Sequence, residues 1–166
     1  MKVTKPLTIT KTNITVFLIL LAIATLAPYA RNQFITGTIV NCTLLVTIAT
    51  LGIRAGLLLC IIPSAIALAI GLLPAVLAPM IPFVILGNAV LIIVFDCLRN
   101  INYWLSVVSG AVLKFGLLAG AISIVTHLVI NENAAASVSY MMSWPQLVTA
   151  LAGSVVAFGI LYPKRT

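Results

Sequence analysis

Tyr103-Trp-Leu-Ser-Val-Val-Ser-Gly-Ala-Val-Leu-Lys114-Phe-Gly-Leu-Leu-Ala-Gly-Ala-Ile-Ser-Ile-Val-Thr-His127-Leu-Val-Ile130 decides the fold class. It exceeds the roughly 20 apolar residues that an α-helix needs to cross a bilayer. It opens on a Tyr-Trp pair suited to a membrane interface. Its single cation, Lys114, lies ten residues inward from Trp104, about 15 Å along a helix and close to the bilayer midplane. A charge at that depth must face a protein interior or a watery cavity.

The rest of the chain agrees. Of 166 residues, 63% are hydrophobic and only 7% charged. Soluble domains are nearer half apolar and one-quarter charged. A chain this small leaves much of its surface outside any core, so the apolar excess must meet lipid. Six spans are expected: Asn13–Ala30, Phe34–Leu51, Ala55–Leu73 with Pro63 inside it, Pro82–Leu98, Tyr103–Ile130 and Trp144–Tyr162. Between the third and fourth, Pro74, Pro79 and Pro82 interrupt helix formation. Asn131–Ser143 reads as a polar connection. The expectation is one all-α domain over 1–166, with basic tails at 1–12 and 163–166.

Nine Lys and Arg stand against two acids, Asp96 and Glu132, for a net charge of +7. The cations are scattered over segment ends rather than clustered, so the charge fits membrane topology better than nucleic-acid binding. Lys2, Lys5, Lys11, Arg54, Arg99, Lys164 and Arg165 fall on one side, and Arg31 alone on the other. The positive-inside rule then puts both termini in the cytoplasm of a multi-pass cell-membrane protein. Tyr103, Trp104 and Tyr162 would mark the inner interface, and Tyr29, Tyr140 and Trp144 the outer one. A competing reading of the first segment is a cleaved signal peptide, with three lysines, an apolar core and Ala27-Pro-Tyr-Ala30.

Catalytic chemistry finds little support. There is one His, no carboxylate near Asp96 in sequence, and no phosphate-loop, zinc or nucleotide fingerprint. Ser64 and Ser109 have no sequence-visible base. Cys42, Cys60 and Cys97 lack ligand spacing and read as small hydrophobes. Neither an enzyme nor a resident metal or cofactor is expected.

Candidate substrate-binding residues follow from polar groups in apolar surroundings. Folding the fourth and fifth spans about a turn near Ile101 brings Lys114 to the depth of Ala89, beside Asn88. An amide and an ammonium could then meet in mid-membrane and hold a ligand; the alternative is a snorkelling lysine. Asn41, midway along the second span, either bonds a neighbouring helix or reads a ligand. Arg31, in the outer Arg31-Asn32-Gln33 turn, is suited to an anionic ligand or to a lipid phosphate. His127, near the outer end of the fifth span, is an interfacial side chain rather than a metal ligand, since no second His completes a metal site, and is counted among the candidate substrate contacts. Met141-Met-Ser-Trp144-Pro-Gln146 offers an adaptable apolar wall with one amide, or an interfacial anchor. Asp96, three residues before Arg99, reads as a helix-surface ion pair. Small residues four apart (Ala65/Ala69, Ala67/Gly71, Gly116/Gly120, Gly153/Ala157) suit close helix packing inside the bundle.

Three stretches, Leu72-Leu-Pro-Ala-Val-Leu-Ala-Pro-Met-Ile-Pro-Phe83, Leu86-Gly-Asn-Ala-Val-Leu91 and Ser143-Trp-Pro-Gln-Leu-Val-Thr-Ala150, together with six spans and basic tails, carry a resemblance. The chain resembles the substrate-binding S components of energy-coupling factor (ECF) vitamin transporters of bacterial inner membranes. The resemblance implies a six-helix bundle that captures a small, polar or anionic micronutrient from outside. It implies an outward pocket built by the fourth to sixth spans and capped by the loops after the first and third. The implied partners are one membrane T component and two ATPases, where ATP hydrolysis would reside. Tilting of the loaded bundle would follow. Family members dock through alanines four apart on the first span; here Ala22, Ala24, Ala27 and Ala30 are spaced by two and three. The alternative function is a non-catalytic structural or assembly subunit of a larger membrane complex, with Lys114 and Asp96 as interhelical glue.

Overall fold

A computed structural model describes residues 11–71, 75–128 and 132–163. Its elements are α1 (Lys11–Leu26), α2 (Gln33–Leu51), α3 (Ile53–Ala69), α4 (Ile81–Leu98), α5 (Tyr103–Leu128), α6 (Glu132–Met141) and α7 (Trp144–Leu161). Short 3-10 turns occupy Ala27–Ala30 and Ala75–Met80. The described residues hold no strand. Five helical stretches are long and apolar enough to cross a membrane, and α3 is a shorter apolar helix. An all-α polytopic architecture is therefore shown.

Local chemistry sets most of the boundaries. Asn32 caps α2, its side chain accepting hydrogen bonds from the backbone N–H groups of Phe34 (2.9 Å) and Ile35 (3.2 Å). Pro82 and Pro145 stand in the first turns of α4 and α7, where a missing N–H costs nothing. The expected Pro-broken connection is a 3-10 turn over 75–80, while 72–74 lie outside the described residues. So do Lys2, Lys5, Lys164 and Arg165, on which the charge count partly rests.

The fold corrects the reading of the last connection. Asn131–Ser143 reads in sequence as a polar connection, yet Glu132–Met141 is helical. Ala134, Ala135 and Ala136 are strong helix formers, and a helix at a bundle end needs no continuous apolar face.

Two close crossings organise the bundle. α2 packs most extensively against α7, running parallel to it: Gly37 meets Thr149, and Gly153 meets Asn41 four residues further on. A Cβ added at Gly153 would lie 2.8 Å from the Thr38 carbonyl oxygen and 2.9 Å from the Cys42 nitrogen, so only glycine lets these backbones approach. α4 and α5 form the second crossing, antiparallel, with Gly110 against the Leu91 carbonyl. α3 packs on α4 through Gly56 and Ile92.

Of the small-residue pairs, Gly153/Ala157 serves the interior as expected. Gly116 and Gly120 do not: both are exposed, with nothing within 4 Å of an added Cβ. At one end of the bundle Tyr103 packs with Phe95, Phe158 and Tyr162, and its hydroxyl donates to the Ser154 carbonyl (2.7 Å). Tyr103 is thus a buried core residue rather than an interfacial anchor. Cys42 and Cys60 are buried and unpaired, and Cys97 is free and exposed.

Candidate functional site

Three buried polar side chains from three helices converge at mid-bundle. Lys114 of α5 is 2% exposed, Asn41 of α2 1% and Asn88 of α4 4%. The Lys114 Nζ donates to Asn41 Oδ1 at 2.7 Å and to Asn88 Oδ1 at 2.7 Å. A second set of bonds orients Asn41. Its Nδ2 donates to the Gly37 carbonyl at 2.8 Å and reaches Thr149 Oγ1 at 3.5 Å, leaving Oδ1 turned to the ammonium. Gly87 opens the way for the lysine stem, since an added Cβ there would sit 3.3 Å from Lys114 Cγ.

Magnitudes show how closely the cost of burying this ammonium is balanced. Taking an ammonium out of water costs several kcal/mol even after relaxation. A hydrogen bond to a charged group returns about 1.5–3 kcal/mol. Two such bonds roughly offset the cost but leave no surplus. No carboxylate neutralises Lys114 among the described residues, where the ion pair is Arg99 Nη2–Asp96 Oδ1 at 3.0 Å. An ammonium has three N–H donors. Two are used here, and the third has no partner among the described residues. The Asn88 amide nitrogen likewise makes no hydrogen bond among them, and it is not sealed inside protein.

These groups form the floor of a cavity of about 410 Å³. Such a volume falls within the range that holds small-molecule ligands. Its walls include Val40 of α2, Leu59 and Ala67 of α3, Val84 of α4 and Met142 after α6. Pro63 also lines it; lacking an N–H, it leaves the Leu59 carbonyl without its intrahelical donor. The mouth is polar, with exposed Arg31 and Asn32 and half-buried Gln33 and Gln146. Both glutamine amides donate to the Met141 carbonyl, Gln146 at 3.1 Å. That shared acceptor ties the starts of α2 and α7 to the end of α6. Arg31 has a left-handed backbone, φ 51°, at the turn into α2.

Most of the sequence-derived site residues thus meet in one place. Lys114, Asn88 and Asn41 form the floor; Arg31 and Gln146 reach the mouth. Trp144 does not line the cavity: its ring packs on Phe34 (5.6 Å between centroids) and Tyr140 (5.7 Å), and it is 47% exposed. The side chain of His127 lies outside the described residues. Asp96 pairs with Arg99, as the three-residue spacing predicts.

The wall is less legible in sequence. The expected pocket draws on the fourth to sixth spans and outer loops, whereas α2 supplies Asn41, Val40 and Thr36, and α3 supplies Leu59, Pro63, Ser64 and Ala67. Pro63, a proline inside an apolar span, is the one sequence signal that points to α3. Among the described residues no group of three His, Cys, Asp or Glu could hold a metal.

Compared with protein-family models, curated proteins and solved structures, the chain matches none.

Proposed function

We propose that this protein is a membrane-embedded solute-binding subunit that captures a small anionic micronutrient from outside the cell, in the manner of an S component. One observation carries the reading: a buried ammonium held by two asparagines at the floor of a cavity, with no carboxylate partner and one N–H unused among the described residues. An anion there recovers the electrostatic stabilisation that the lysine lost on burial. The apolar wall and few convergent polar groups match the usual make-up of small-molecule sites.

The charge asymmetry supports the direction of capture. The sequence assigns seven cations to the segment ends opposite Arg31, four of them outside the described residues, and by the positive-inside rule that count favours an outward Arg31 mouth and cytoplasmic termini. Energy would come from partners, a membrane T component and two ATPases, as the resemblance implies. The lysine–asparagine floor then reads the substrate, and the tie at Met141 borders its entrance.

Affinity purification from native membranes tests the assignment. The expected result is co-purification of one further membrane subunit and two ATPases, with a small anion released on denaturation. A complex lacking any ATPase and any bound solute contradicts it and supports the assembly-subunit reading.

A further inference from the structure

We propose that the cavity is shaped for an elongated dianion, bound with one acid head on Lys114 and Asn88 and the other at Arg31. This rests on the solute-capture reading and adds the chemistry, orientation and length of the ligand.

The floor offers two neighbouring donors. One is the Lys114 N–H left over after Asn41 and Asn88 have taken the other two. The other is the Asn88 amide nitrogen, whose oxygen already accepts from the lysine. A carboxylate presents two acceptor oxygens and no donor, which fits this pair. A neutral amide or alcohol would leave the ammonium without a counter-charge, and an amine would oppose it. Above the floor the wall is mostly apolar, with Leu59, Ala67, Val84 and Met142; its side-chain hydroxyls are those of Thr36, which donates to the Ala27 carbonyl, and Ser64, and it carries no charge. A charged mid-section would lose its hydration there with two hydroxyls at most to replace it. At the mouth the next cation is Arg31. Its guanidinium suits a planar carboxylate in the way a lysine does not.

The helix fixes the length. Asn41, against Lys114, lies eight residues beyond Gln33, about 12 Å along α2, and Arg31 precedes Gln33 by two residues. An extended chain gains about 1.2 Å per bond, so a diacid of about eight carbons, with a hydrogen bond of about 3 Å at each end, spans floor to mouth. Shorter diacids reach only one cation, and a monoacid satisfies only the floor.

The test is equilibrium binding to the purified full chain in lipid nanodiscs, read by thermal stabilisation and by calorimetry. The probes are straight-chain diacids of four to twelve carbons, octanoate, octanamide and octylamine. The diacid series is expected to peak near octanedioate. Lys114→Met should weaken every acid at least tenfold, and Arg31→Gln should weaken octanedioate to the level of octanoate while leaving octanoate unchanged. Asn88→Leu gives a second floor variant, with the same loss expected for all acids. A diacid no tighter than the monoacid, an amide or amine binding equally well, or no acid in the series binding at all overturns the proposal. In those cases a co-purified solute of other chemistry would leave solute capture standing, whereas a cavity that takes no solute from cell extract removes both.

Discussion

Replacing Asn88 by leucine should reveal how the buried ammonium is held. The change keeps the branching and number of side-chain heavy atoms, at a somewhat larger volume, but removes one of two acceptors, Asn88 Oδ1 at 2.7 Å. Lys114 is 2% exposed and borders the cavity, so cavity water restores only part of the lost acceptor. An unmet buried donor costs about 1–3 kcal/mol, and more on a charged group; with part of the loss restored by cavity water, the expected cost is about 2 kcal/mol. For a chain of this size that lowers Tm by about 4–8 °C. Lys114→Met should behave differently. It removes the desolvated charge with its two bonds, and the freed Asn41 and Asn88 oxygens border a cavity that admits water. Its expected cost is within about 1 kcal/mol of zero. In the Lys114→Met background, Asn88→Leu should then cost almost nothing, giving a coupling near 2 kcal/mol. Thermal unfolding of the four proteins in one detergent, followed by circular dichroism, measures the cycle. Strict additivity, with Asn88→Leu equally costly in both backgrounds, would refute the reasoning, because the amide would then act through packing alone.

Gly153→Ala forces a Cβ to within 2.9 Å of α2 backbone and should destabilise by about 1–3 kcal/mol. Gly116→Ala and Gly120→Ala, with open space around them, should change Tm little or raise it slightly through helix propensity; unfolding midpoints compare all three. Trp144→Ala removes a ring packed outside the cavity, so the affinity for any bound anion should stay within about twofold, measured by calorimetry in nanodiscs. Asp96→Asn breaks a partly exposed pair at the other end and should cost less than about 1 kcal/mol, with no effect on binding.

The architecture was legible because hydrocarbon imposes a length on every apolar run. Charges, prolines and glycines then marked the ends to within a few residues, as at Gly52 and Pro82. The Lys114–Asn88 contact was legible too. An antiparallel hairpin fixes depth once its turn is placed, and a lysine at mid-depth needs a partner. Asn41 stood out as a buried amide, yet nothing in its neighbours tied it to Lys114. That tie depends on α2 lying at the bundle centre, packed in parallel on α7, and long-range pairing leaves no local mark. Trp144 and Gln146 lie two positions apart, so the same segment holds one residue outside the cavity and one that lines it. Only the rotation of α7 distinguishes them. α6 was missed because polar residues at a bundle end obscured a run of good helix formers.

The most direct test of the account is native mass spectrometry of the protein purified from its own membranes, beside Lys114→Met prepared identically. The account predicts a small anionic molecule bound to the wild-type chain and missing from the variant, with the same helical content by circular dichroism. Equal occupancy in both proteins, or a bound molecule carrying net positive charge, would contradict it.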